Sequence, residues 1–162
     1  MEVHVTVMTE RPPALTTAEL VPDEVRDRLA AFILREHPEA EYTPAFAGRL
    51  VVESAKFQAA SAARPDVRMA PSILVDHGWH AWLMHTEDRD ALMERIGGVV
   101  HHVPELPGED HGDVKEVRRQ TLDAMRVTGY APDLEMWPAA SADCTQCHAG
   151  CSDSPNSGKK KG

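Results

Sequence analysis

The sequence contains no long apolar run and no excess of basic residues. Its longest uninterrupted apolar stretches, such as residues 30–34, span only a few positions, whereas a membrane helix needs roughly 20. Lysine and arginine number 17 against 26 aspartates and glutamates, so the formal net charge of the 162 residues is −9. We therefore expect neither membrane insertion nor nucleic-acid binding.

Several motifs that indicate secretion or a particular type of catalysis are also missing. The start of the chain, MEVHVTVMTERPP, has no basic segment followed by a long apolar one, so we expect no secretory signal and a cytoplasmic protein. A Gly-rich phosphate loop, a Gly-x-Ser-x-Gly elbow and a dinucleotide fingerprint are absent, which disfavours nucleotide hydrolysis and Rossmann-type redox chemistry. The partner, a small molecule or a protein, is left open.

Apolar spacing and helix-boundary residues predict an all-α fold: a single compact domain of about five helices over residues 1–138. We expect a short extended N-terminal segment, because Val3, Val5 and Val7 alternate with polar residues, and a flexible, largely disordered tail over residues 139–162. The predicted helices begin near Pro22, Thr43-Pro44, Pro71-Ser72, Thr86 (as an N-cap) and Gly112, and predicted ends lie at His37-Pro38, Arg64-Pro65, Gly97-Gly98 and Gly129.

Nine histidines are many for this length, and several of them cluster in the segment PSILVDHGWHAWLMHT. Asp76 and His80 lie one helical turn apart at the margin of an apolar face, so both can reach one metal ion. His77 is close to them in angle and is a candidate substitute ligand, whereas His85 points toward the opposite side.

A second pair of histidines, His101-His102, follows about twenty residues later. In an extended segment consecutive side chains point to opposite faces, so only one of the two is expected to face Asp76 and His80. The resulting set of two imidazoles and one carboxylate suits non-haem Fe(II) or Zn(II) with a bound water. The alternative is a buried Asp–His hydrogen bond without a metal.

Residues 75–104 carry the pattern Val-Asp-x-x-Trp-His, a Thr, a Gly and a final His-His-x-Pro. This segment resembles a bacterial family related to the glycine-rich domain-containing proteins. The resemblance implies a fold and a site built from Asp76, His80 and His101 or His102 more than it implies a reaction. The sequence departs from the family at Arg89, where a Tyr is expected, and at Met93, where a Cys is common. The glycine-rich tail that names the family is also missing, since the chain has ten glycines.

Two tryptophans of the same segment, Trp79 and Trp82, are expected to be core anchors, with the lining of a substrate pocket as the alternative.

The three cysteines lie within eight residues near the end of the chain, in the stretch CTQCHAGC. Cys144, Cys147, His148 and Cys151 can supply ligands for Zn(II) or Cu(I). A C-x-x-C redox pair with Cys151 as resolving thiol is a second interpretation. The C-x-x-C-H pattern of haem attachment is disfavoured without an export signal, and a tail with no defined role also remains open.

Three hypotheses of different classes follow. The first is a metal-binding helical domain, with a small non-haem metalloenzyme as its catalytic form. The second is a soft-metal handling or redox protein that acts through the cysteine cluster. The third is a non-catalytic interaction domain in which Asp76 and a histidine form a buried polar contact.

Overall fold

Six α-helices form the framework of the chain in the computed structural model, which describes residues 13–103 and 112–139. The helices are α1 Thr17–Leu20, α2 Asp23–Glu36, α3 Pro44–Ala63, α4 Ile73–Met84, α5 Thr86–Ile96 and α6 Val114–Val127, with 3-10 turns at Pro38–Ala40 and Leu134–Met136. Residues 13–103 and 112–139 contain no strand, so the prediction of an all-α fold is confirmed. The predicted N-terminal arm and residues 140–162 of the predicted tail lie outside these ranges.

Local capping chemistry explains where the central helices begin. The Thr43 hydroxyl accepts from the Phe46 amide at 3.1 Å, with Pro44 in the first turn of α3. The Ser72 hydroxyl accepts from the Val75 amide at 3.1 Å and caps α4. Such side-chain caps satisfy amides that have no partner within their own helix, and each contributes about 1 kcal/mol to stability. The predicted starts of α3 and α4 are therefore correct.

Two details of the helical assignment differ from the prediction. The one-turn helix α1 was missed, although Thr16 and Glu19 form a reciprocal capping box, whose sequence signature is Thr-x-x-Glu. Thr86 is not the N-cap of α5 but its first residue. The N-cap is His85, which also ends α4. The two helices share this single junction residue, and the amide of Arg89 already donates to the His85 carbonyl, so no separate capping residue fits between them.

The long helix α3 lies at the centre of the domain and packs against α2, α4 and α6. Its apolar side chains Leu50, Val51 and Phe57 are buried. Helix α4 comes especially close, because a Cβ placed on Gly78 would lie 2.8 Å from the Ser54 hydroxyl oxygen and would also collide with the Leu50 carbonyl. Gly78 thus fixes the position of α4, the helix that carries Asp76 and His80.

Glu53, a buried carboxylate of α3, helps to hold the end of the described chain against that helix. Its Oε1 accepts hydrogen bonds from Trp137 Nε1 at 2.7 Å and from the Asp133 amide at 3.0 Å. Its Oε2 lies 3.1 Å from Lys56 Nζ. These bonds offset the cost of removing the carboxylate from water and hold residues 133–137 against the core.

No helix in the described ranges is both long enough and apolar enough to cross a lipid bilayer.

Candidate metal centre

The candidate centre is built around Asp76, a buried carboxylate in the first turn of α4. The partial positive charge at a helix N-terminus favours an anionic side chain there. The Asp76 side chain is only 3% exposed, so its carboxylate needs polar partners nearby to offset the loss of hydration. Those partners are imidazoles from two different parts of the chain.

His80 is the first of these partners and follows Asp76 by one helical turn. Its Nε2 lies 3.5 Å from Asp76 Oδ2. Residues four apart on a helix are neighbours on the same face, so this approach follows from local sequence alone.

His102 is the second partner and reaches the site from beyond α5. Helix α5 ends at Ile96 and is capped by Gly97, whose φ of 72° is left-handed, a conformation that glycine adopts without steric cost. The chain turns back at this point, and His102 Nε2 arrives 3.0 Å from Asp76 Oδ1. Each carboxylate oxygen therefore faces one imidazole.

Together the three side chains form a group that can hold a metal ion, because one ligand atom from each lies within 4.8 Å of the other two. Bond lengths of about 2.0–2.1 Å in a tetrahedral zinc site place neighbouring ligand atoms roughly 3.3 Å apart. The distance from Asp76 Oδ1 to His102 is 3.0 Å and that from Asp76 Oδ2 to His80 is 3.5 Å, both close to that spacing, although each involves a different carboxylate oxygen. The His80 side chain is 26% exposed, so solvent reaches the site next to His80.

The remaining histidines of the segment lie elsewhere. His101 is exposed and does not belong to the group. His77, the candidate substitute ligand, stacks on His37 with ring centroids 3.8 Å apart, and its Nδ1 lies 2.9 Å from the Tyr42 hydroxyl. Burial and the nearby imidazoles of His37 and His80 lower the pKa of His77 to about 4. His85 Nδ1 contacts the Ala81 carbonyl at 2.8 Å, away from the site as expected.

Both tryptophans of the segment are buried, as expected for core anchors. Trp82 Nε1 donates to the Val51 carbonyl at 3.3 Å. Trp79 packs edge-on against His102, with ring centroids 4.6 Å apart. Its Nε1 is buried and has no hydrogen-bond partner among the residues that the structure describes. Trp79 therefore belongs both to the core and to the wall of the candidate centre.

Two residues that support the site were not predicted. Arg89 Nη2 donates to the Val100 carbonyl at 3.1 Å, and the Val100 amide donates to Met93 Sδ at 3.3 Å. In the sequence, these two positions appeared only as departures from the pattern of the resembling family. The signal that could have found them is their spacing, since residues four apart in α5 present one face to the returning chain.

The second predicted site, at Cys144, Cys147, His148 and Cys151, lies outside the described residues.

Comparison with known proteins adds no assignment. No family model, curated protein or solved structure matches the chain. The resemblance to the family related to the glycine-rich domain-containing proteins therefore stays a prediction.

Proposed function

We propose that this protein is a metal-binding helical domain whose ion is coordinated by Asp76, His80 and His102. The observation that supports it is the convergence of a buried carboxylate and two imidazoles on one point, with ligand atoms within 4.8 Å of one another. Two of the ligands come from helix α4 and the third from the segment that follows α5. The site therefore exists only in the folded chain, which links metal binding to folding.

The donor set favours zinc or iron over magnesium or calcium, because imidazole nitrogens suit first-row transition ions and hard cations prefer oxygen. Three protein ligands leave at least one coordination position for water or a substrate, as in catalytic rather than structural zinc sites. With Zn(II) the ion would activate a bound water, and with Fe(II) the two-histidine, one-carboxylate set suits oxygen chemistry. A small non-haem metalloenzyme is thus the catalytic form of the proposal.

The test is metal content, measured by inductively coupled plasma mass spectrometry on untagged full-length protein after incubation with Zn(II) or, anaerobically, Fe(II). His80→Gln and His102→Gln are expected to lose the bound metal. His101→Gln is the matched control, since it removes an exposed imidazole next to His102, and is expected to retain it.

A Cys144→Ser/Cys147→Ser variant separates this site from the cysteine cluster. Retention of metal in that variant, with loss in His80→Gln, supports the proposal. Metal that disappears with the cysteines and survives in His80→Gln would move the metal-binding function to the tail. Wild-type protein that binds no metal under either condition would leave Asp76 as a buried partner of two imidazoles in an interaction domain.

A further inference from the structure

The segment that carries His102 alternates between the core and solvent. Val99, His101 and Val103 are exposed, whereas Val100 and His102 are half-buried. This is the pattern of an extended chain with one face against the protein. A shift of one residue along the segment would exchange the two faces and place His101, instead of His102, opposite Asp76.

Residues 99–103 form no helix and no strand, so no ladder of backbone bonds fixes their position. Instead, both backbone polar groups of Val100 bind side chains of α5. Its amide donates to Met93 Sδ and its carbonyl accepts from Arg89 Nη2. Arg89 and Met93 lie one helical turn apart on the same face of α5, so both side chains can reach the backbone of one residue.

Partial burial of the Arg89 guanidinium carries a desolvation cost. The Arg89 side chain is only 19% exposed, and its Nε is buried without a hydrogen-bond partner in the described part of the chain. The carboxylate of Asp90 lies 3.7 Å from its Nη1. Partial burial of a guanidinium is unfavourable unless its hydrogen bonds and charge partners offset the lost hydration, and the bond to the Val100 carbonyl is one of those interactions. The residue that Arg89 binds, Val100, lies two positions before His102, and both residues are on the half-buried face of the segment.

We propose that Arg89, assisted by Met93, is a positioning residue that sets the register of residues 99–103 and thereby selects His102 over His101 as the third ligand. The metal-binding part of this inference rests on the proposed function. The register itself does not, because the bond between His102 Nε2 and Asp76 Oδ1 is present without a metal.

The first test needs no metal. Long-range ¹H–¹⁵N spectra of the full-length protein in chelator report which imidazole is hydrogen-bonded. In wild type, His102 is expected to give the shifted ring signals of a carboxylate-bound imidazole, and His101 those of a solvated one. In Arg89→Ala the two sets of signals are expected to converge as the register relaxes. Arg89→Lys, whose ammonium can still donate to the Val100 carbonyl, is expected to restore much of the difference.

The second test is a set of Zn(II) competition titrations. In wild type, His101→Gln is expected to leave the affinity unchanged. Arg89→Ala is expected to weaken binding about 10- to 100-fold, the range typical for residues that orient a metal ligand. In the Arg89→Ala background, His101→Gln is expected to weaken it again, because His101 then shares the site. This dependence on His101 distinguishes loss of register from general destabilisation.

The outcomes separate the two proposals. Wild-type protein that binds no Zn(II) contradicts the proposed function, while the ring signals still decide the register. The role of Arg89 would be overturned if Arg89→Ala kept the wild-type ring signals. It would also be overturned if adding His101→Gln to Arg89→Ala left the Zn(II) affinity unchanged.

Discussion

His102 Nε2 lies 3.0 Å from Asp76 Oδ1, although 26 positions separate the two residues. This contact closes the chain around α5 and brings a second imidazole to a carboxylate that already faces His80 at 3.5 Å. Without a metal the two imidazoles lie against the buried Asp76 carboxylate. Under the proposed function the same three side chains would coordinate the ion. The free energy of unfolding, measured with and without metal, is expected to distinguish these two states.

Metal is therefore expected to stabilise the fold. A ligand that binds only the folded state at a free concentration 100-fold above its Kd adds about 2.7 kcal/mol to the free energy of unfolding. Urea unfolding in Zn(II) and in chelator should show a gain of this size for wild type and for His101→Gln. The gain should be largely lost in His102→Gln. Because unfolded cysteines also bind Zn(II), the comparison is made with all three cysteines changed to serine. Equal gains in both histidine variants would contradict the assignment.

Glu53 is expected to be one of the most sensitive positions outside the candidate centre. Glu53→Ala leaves Trp137 Nε1 and the Asp133 amide without their acceptor and removes the ion pair of Lys56, which keeps its bond to the Ala131 carbonyl. Removing one partner of a buried charge pair costs about 3–5 kcal/mol. Glu53→Gln keeps an acceptor for Trp137 Nε1 and the Asp133 amide, so its cost should be nearer 1 kcal/mol. Chemical denaturation measures both, and similar losses for the two variants would show that the hydrogen bonds contribute little.

Gly78 and Gly48 offer a matched pair of glycine-to-alanine substitutions in helix interiors. At Gly78 a Cβ meets the Leu50 backbone and Ser54, so Gly78→Ala must push α4 away from α3, at a cost of about 1–3 kcal/mol. At Gly48 the nearest atom is Arg26 Cδ at 3.4 Å, part of a flexible side chain. Gly48→Ala should therefore gain roughly 0.5–1 kcal/mol from reduced backbone entropy in the unfolded chain. Thermal unfolding should shift in opposite directions for the two variants.

Local signals predicted the helical framework, because Thr43, Ser72 and Gly97 act through bonds within a few residues of themselves. The pairing of Asp76 with His80 is local in the same sense. The choice between His101 and His102 is not, since it depends on how Arg89 and Met93 of another helix meet the returning chain.

His77 shows the same limit. Its angle on α4 made it a candidate ligand, but contacts with His37 and Tyr42, from outside α4, engage its ring instead. Helical angle alone could not reveal these partners.

The two tryptophans of α4 should respond differently to phenylalanine. Trp82→Phe removes a buried hydrogen bond to the Val51 carbonyl. Trp79→Phe removes a buried N–H that has no partner among the described residues, so part of the lost packing is offset by relief of its desolvation cost. We expect Trp82→Phe to be more destabilising by about 1 kcal/mol, as measured by urea unfolding in chelator. A larger loss for Trp79→Phe would indicate that the Trp79 N–H has a partner in solution.

The buried imidazole of His77 should make the metal-free protein sensitive to acid. Its pKa falls from an ordinary value of 6.5 to about 4, chiefly through burial and then through His37 and His80, while Glu39 acts in the opposite direction. Between these values the unfolded chain binds a proton that the folded chain does not. The contribution of His77 to stability is therefore complete above pH 6.5 and is lost as the pH falls toward 4. Urea unfolding in chelator across this range should show a steeper decline for wild type than for His77→Gln, which keeps a polar group beside the Tyr42 hydroxyl. Parallel curves would mean that His77 titrates normally and that its stack on His37 opens in solution.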